Sequence, residues 1–180
     1  MRTFKIILML VIISISNIIL ANKTQPAVNG LNAKRTSGEA PSISTYIYNS
    51  GLDLPAPTLN VTKNATYSFN SLIQIPGGDL IKGDVYFGVY LPDRNKPFSW
   101  QHDGTLISPQ RLTPIIRGID LKEKYGFDIT SILGKEIKYT FTGSEPVGMY
   151  LIYTLITVSD TDPSDTDNWI SIYMSPFFFN

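Results

Sequence analysis

Apolar and polar residues alternate with a period of two through most of the chain beyond residue 58. The clearest stretch is 84–91, Asp-Val-Tyr-Phe-Gly-Val-Tyr-Leu, closed by Pro92-Asp93. Val85, Phe87, Val89 and Leu91 fall on one side of an extended chain, and Tyr86, Gly88 and Tyr90 on the other. The first side is wholly apolar, which predicts a strand laid on a core. The same pattern recurs at 135–142, with Ile137, Tyr139 and Phe141 inward and Lys138 and Thr140 outward, and at 67–75, where Tyr67 and Phe69 share a face. Residues 148–158 are largely apolar on both sides, as a strand covered on both faces or central in its sheet must be. Shorter strands are predicted at 58–61, 98–100, 169–174 and 177–179.

Turn residues separate these runs: Lys63-Asn-Ala65, Pro76-Gly-Gly-Asp79, 92–97 and Gly143-Ser-Glu-Pro146. Residues 101–130 read differently. His102-Asp-Gly104 and Ser108-Pro109 break the chain, the apolar residues of 112–119 are irregularly spaced, and Lys122-Glu-Lys-Tyr125 suits a helical turn. The region predicts a long crossover with at most a short strand. About seven to nine short strands at this spacing predict an all-β, antiparallel sandwich of the immunoglobulin-like or fibronectin-III-like kind over residues 56–180. Its core is expected to join Val85, Phe87, Val89 and Leu91 to Ile137, Tyr139, Phe141 and one face of 149–158.

The first 55 residues follow another pattern. Arg2 and Lys5 precede an unbroken apolar run over 6–13, continued by Ile15 and 18–20 and followed by Ala21. A charged start, an apolar run and a small residue make a secretory signal peptide over 1–21. Ser14, Ser16 and Asn17 interrupt the run, which is short for an uncleaved membrane anchor. Residues 22–55 are polar and rich in breakers, and predict a flexible linker. Within it Ile43-Ser-Thr-Tyr-Ile-Tyr48 alternates in part and suits an edge strand.

Composition narrows the function. Of 15 basic residues, Arg2 and Lys5 leave with the signal, so 13 basic face 15 acidic ones. A net charge so near zero, without a basic stripe, argues against nucleic acid. The chain has no cysteine, which removes disulfides, thiolate zinc sites and thiol catalysis together. No lipid-attachment cysteine is present either.

Three segments resemble a known kind of module: Pro57-Thr-Leu-Asn-Val-Thr-Lys-Asn-Ala-Thr-Tyr67, the strand 84–93, and Glu145-Pro-Val-Gly-Met-Tyr150 leading into a long apolar strand. Together they resemble the immunoglobulin-like β-sandwich modules of secreted bacterial proteins, in which a "DvYvgvyLPDG"-type strand pairs with a "p-G-x-Y"-type strand. Where that pattern commonly has Gly after Pro-Asp, this chain has Arg94-Asn95, which widens the turn. The resemblance implies a fold and a compartment, and carries over no catalytic residue.

Candidate chemistry is sparse. His102 is the chain's one imidazole. Asp103 beside it lies on the opposite face of an extended strand and is badly placed to orient it. No nucleophile elbow, zinc-helix motif or phosphate loop is present. Asp160, Asp162, Asp165 and Asp167 offer a hard cation such as Ca²⁺ several oxygens in one loop, though not at EF-hand spacing. Trp100 and Trp169 are candidate ligand-binding platforms, since a few exposed aromatics with polar partners make a site. The terminal Phe177-Phe-Phe-Asn180 could mark an outer-membrane barrel, but a barrel strand alternates polar lumen and apolar lipid faces, and 148–158 is largely apolar on both.

The reading that follows is an exported, non-enzymatic sandwich that is secreted, periplasmic or at the cell surface. Its expected partner is an envelope or extracellular protein or a glycan, with no nucleic acid and no membrane span after signal cleavage. The alternative is a carbohydrate-binding or carbohydrate-active secreted protein with an unrecognised site.

Overall fold

The computed structural model describes residues 39–52, 58–79, 82–93, 97–107 and 112–180. The expected signal peptide, 1–21, and residues 22–38 and 53–55 of the expected linker lie outside these residues. Strands β1 (Ser42–Asn49), β2 (Asn60–Val61), β3 (Ala65–Pro76), β4 (Lys82–Tyr90), β5 (Pro97–Trp100), β6 (Leu106–Ile107), β7 (Ile116–Asp120), β8 (Lys124–Asp128), β9 (Ile137–Phe141), β10 (Gly148–Val158) and β11 (Trp169–Phe179) build two sheets, with one short helix, α1 (Ile129–Leu133), between β8 and β9.

In the smaller sheet β3 is the spine. β1 pairs along one edge of it over eight residues, Ser42↔Gln74 to Asn49↔Tyr67. Its other edge is shared, 72–76 with β8 and 65–69 with β9. The larger sheet runs β2-β11-β10-β4-β5-β6, and β7 pairs with the opposite end of β4 from β5. All pairings are antiparallel except β2 with β11, which is parallel. Assigning β3, β4, β9, β10 and β11 to strands B, C, E, F and G reproduces the immunoglobulin pairing, B beside E in one sheet and C, F and G together in the other. Tyr150, near the start of β10, donates its hydroxyl to the Pro146 carbonyl at 2.6 Å. This back-bond of a few residues is the tyrosine corner of such sandwiches, and it accounts for the "p-G-x-Y" pattern. Pro92 lies over Gly148, so the two motif segments meet in space.

Between the sheets the expected core is present: Val85, Phe87 and Val89 join Ile137, Phe141, Tyr150, Ile152 and Ile156, with Leu91 and Tyr139 packed at its margin. At its centre the hydroxyls of Thr45, Ser71 and Thr154 form a closed triangle with sides of 2.9–3.0 Å. Three hydroxyls, each able to donate once, satisfy one another there, and among the described residues no buried side-chain polar atom lacks a partner.

The structure departs from the pattern-based expectation in four places. The edge strand expected at 43–48 is present as β1, but it belongs to the sandwich, which begins at Ser42 rather than at 56: Ile43, Thr45 and Ile47 point into the core while Tyr46 and Tyr48 point out. Residues 101–130 hold three short strands and α1 instead of a bare crossover. Residues 122–125 turn directly into β8, and Lys122 is held by its backbone N–H donating to the Asp120 carboxylate rather than by a helical turn. The last two predicted strands are one, continuous through Pro176. Phe178 turns its N–H toward Leu59 at the edge, away from β10, and Pro176, two residues earlier, has its missing N–H on that same side, where proline is tolerated.

Candidate functional site

The residues singled out by sequence are dispersed. Trp100 is buried, with ring centroids 5.0 Å from Phe69 and 5.1 Å from Phe87. It is a core side chain and offers no face to a ligand. The cause is register: Ser99 and Phe98 pair with Gly88 and Val89 of β4, which turns Trp100 inward beneath Phe87. Trp169 is half-buried. Its indole N–H donates to the Pro163 carbonyl at 2.8 Å, and its ring packs with Tyr86, Tyr153 and Leu155 on the outside of the larger sheet.

Two of the four acidic-loop carboxylates, Asp162 and Asp165, are employed in building the loop, and Asp160 and Asp167 take part through their backbone N–H groups. Asp162 accepts from the Ser164 N–H and hydroxyl, and Asp165 caps the 3-10 turn Thr166–Asn168 by accepting from the Asp167 N–H. Asp160 donates its own N–H to Asp84. Among the described residues no three His, Cys, Asp or Glu side chains gather where they could hold a metal ion. His102 is exposed, and Asp103 bonds to the Thr105 N–H and hydroxyl instead of to the imidazole.

Asp84 is a group the sequence pattern did not single out as special. It is 2% exposed and lies on the outward face of β4. The Gly118 N–H and Ser159 hydroxyl donate to one oxygen at 2.9 and 2.6 Å, and the Asp160 N–H to the other at 3.2 Å. Arg117 stands 3.9 Å away. The carboxylate ties β4, the middle of β7 and the base of the acidic loop together; a buried charge needs such a full set of partners.

A different region brings half-exposed aromatic groups together with polar ones, of which Ser68 and Asn70 are buried: the outer face of the smaller sheet. Alternation puts Tyr46 and Tyr48 outward on β1, Ser68, Asn70, Leu72 and Gln74 outward on β3, and Asp128 and Lys138 outward on β8 and β9. The Tyr46 and Tyr48 ring centroids are 6.2 Å apart, with planes inclined by 29°. Asn70 is the hub. Its amide N donates to the Tyr46 hydroxyl at 3.2 Å, the Thr130 hydroxyl at 3.1 Å and Asp128 at 3.4 Å. Asp128 in turn caps α1 through the Ser131 N–H at 2.7 Å. Burial works against the Asp128 charge, but the hydrogen bonds from Thr130, Ser131 and Asn70 hold its carboxyl below the usual range. Burial, with the negative Asp128 next, raises the Tyr46 hydroxyl. Glu136 pairs with Lys138 at 2.6 Å and accepts from Ser68 at 3.4 Å. At one end Gln74 lies flat over Gly126, where a Cβ would overlap its amide.

Reading 22–55 as linker hid this face. The signal for it was Ile43-Ser-Thr-Tyr-Ile-Tyr48, whose outward tyrosines become a surface once the strand pairs.

No protein-family model matches the chain, and no curated protein sequence matches it. Two solved structures are similar in shape. One is the CARDB domain of a Pyrococcus furiosus protein in complex with di-metal ions, 13% identical, covering 80% of this chain and 97% of that one with a TM-score of 0.36. The other is a Niemann-Pick type C2 protein from the Japanese carpenter ant, 12% identical, covering 80% and 96% with a TM-score of 0.39. Likeness of this degree carries no statement about ligand or activity. Among the described residues no helix is long and apolar enough to cross a membrane.

Proposed function

We propose that this chain is an exported, non-enzymatic immunoglobulin-like module that binds a partner at the cell envelope or outside the cell. The observation that carries the binding role is the outer face of the smaller sheet, where two half-exposed tyrosines stand beside an amide hub that fixes one of them. The carboxylates support a non-catalytic reading by their employment. Asp103, Asp120, Asp162 and Asp165 close turns, Asp128 caps α1, and Glu145 holds the β9–β10 turn. Such groups are committed to the chain's own N–H groups rather than aimed at a shared reacting centre.

Export is supported by the charged start, the apolar run and Ala21. The compartment is the periplasm, the cell surface or the medium, and the bacterial-module resemblance agrees with it. The test is cell fractionation with N-terminal sequencing by mass spectrometry. The expected product lies outside the cytoplasm and begins at Asn22. Protein confined to the cytoplasm, or exported protein that keeps its first ten residues, overturns the soluble exported module.

A further inference from the structure

We infer that the face formed by Tyr46, Tyr48, Leu72, Gln74 and Asp128, supported from beneath by the buried Asn70, is a binding site for a neutral oligosaccharide. The inference rests on the exported-module reading and names the class of ligand.

The chemistry of the face selects the occupant. Among the described residues its strands carry Lys124, Lys138 and Asp128 outward with Glu136 beside them, two charges of each sign, and Lys138 and Glu136 neutralise each other at 2.6 Å. A nucleic acid needs cations to displace its counterions, and a bilayer surface attracts basic, strongly apolar faces; this surface is neither. A protein partner needs an apolar centre that can be fully desolvated. Here Leu72, 41% exposed, is the one aliphatic side chain that β1 and β3 present, and it is flanked by Ser44 and Asn70. What remains is an aromatic pair set beside the exposed Gln74 amide, the exposed Ser42 and Ser44 hydroxyls and one carboxylate. A pyranose matches this, since its C–H faces lie on aromatic rings and its hydroxyl rim both donates and accepts, as amides and carboxylates require.

The face is also set before any ligand arrives. Tyr46 is fixed by Asn70, and Asn70 by Asp128 and Thr130, while Gly126 leaves room for the Gln74 amide beside it. Side chains already fixed lose little freedom on binding, which matters for a ligand as heavily hydrated as a sugar. Asp128 keeps an oxygen available for a sugar hydroxyl while its partner oxygen caps α1, since a carboxylate accepts about four hydrogen bonds.

The test is affinity electrophoresis of the mature protein through gels containing mixed-linkage β-glucan, soluble glycol chitin or polygalacturonate. Retardation is expected by at least one of the two neutral polymers and not by polygalacturonate. Tyr46→Ala/Tyr48→Ala should weaken it by about tenfold or more, the scale of a lost aromatic anchor, while Tyr46→Phe/Tyr48→Phe, which keeps the rings, retains most of it. A thermal melt of each variant separates lost binding from lost folding. Exported protein that no neutral polymer retards overturns the site while leaving the module reading intact. So does retardation that the double alanine variant keeps while folded, retardation by polygalacturonate alone, or capture through this face of a protein instead of a glycan. Protein found only in the cytoplasm fails the module reading itself.

Discussion

Phe87 shows what a single residue does here. It is fully buried, stacked on Trp100 in a core that runs from β3 to β11. Phe87→Ala removes a whole ring from a site with little freedom to collapse, and should cost about 3–5 kcal/mol in denaturant-induced unfolding. A loss below about 1 kcal/mol, the scale of a surface change, would place Phe87 outside the core. The hydroxyl triangle makes a subtler case. Thr154→Val leaves Thr45 and Ser71 linked to each other, Ser71 still able to donate to the Ser44 carbonyl at 3.4 Å and Thr45 short of one bond, a penalty of roughly 1–3 kcal/mol for a buried unsatisfied group. Replacing all three, as Thr45→Val/Ser71→Ala/Thr154→Val, removes the need along with the partners. The triple variant should therefore lose much less than the sum of the three single ones; additive losses would mean that the hydroxyls do not act as a ring.

Elements were legible where one residue pattern decided them. The strands at 84–91 and 135–142 could be read because each has a wholly apolar face and a polar or lighter one. Residues 101–130 could not, because β7 and β8 pair only with the ends of β4 and β3 and carry Gly118 and Gly126 in place of strand formers. Their pairing is tertiary, and no local period announces it. The β9–β10 turn was legible as a turn, yet its electrostatics were not. Partial burial opposes the Glu145 charge, but the N–H groups of Thr142 and Gly143 and the Tyr139 hydroxyl hold its carboxyl at about 2. A carboxyl lowered on folding adds stability above its unfolded pKa, and that stability is lost as pH falls through the folded value. Melting temperature should thus be flat above about pH 5 and fall between roughly pH 4.5 and 2. Glu145→Gln should flatten that fall; an unchanged acid slope in the variant would assign it to other carboxylates. The acidic loop makes the opposite kind of prediction. Asp162 and Asp165 already cap the loop's own N–H groups, so millimolar calcium should leave the melting temperature where chelator leaves it. A rise with calcium would reveal an ion bound by the folded state.

At the scale of the whole molecule, the boundary of the sandwich depends on β1. From sequence alone its six alternating residues sit between polar, breaker-rich stretches, and an isolated pattern of that length is as compatible with a tether as with a strand. The structure decides the matter through pairing: eight residues of β1 run along β3, Ile43 and Ile47 enter the core, and Thr45 completes the hydroxyl triangle. Cutting the chain at residue 56 would expose the edge of β3, open the core beside Ile73 and Phe69, and leave Ser71 and Thr154 without their third partner. Each of these is destabilising, and an uncovered spine edge is also a template for pairing between chains. A version spanning 39–180 should therefore melt cooperatively and remain monomeric, whereas one spanning 56–180 should unfold well below it or aggregate. Adding the 39–55 segment as a separate peptide supplies the missing strand by antiparallel pairing with β3, the mode by which extended peptides join an open sheet edge. Recovery of the cooperative melt in the complemented mixture, and its loss when the peptide carries Ile43→Asp and Ile47→Asp, is the expected result. A fragment from 56 that is as stable as the one from 39 would show β1 to be an ornament on a domain complete without it, and would detach the tyrosine face from the core that holds it.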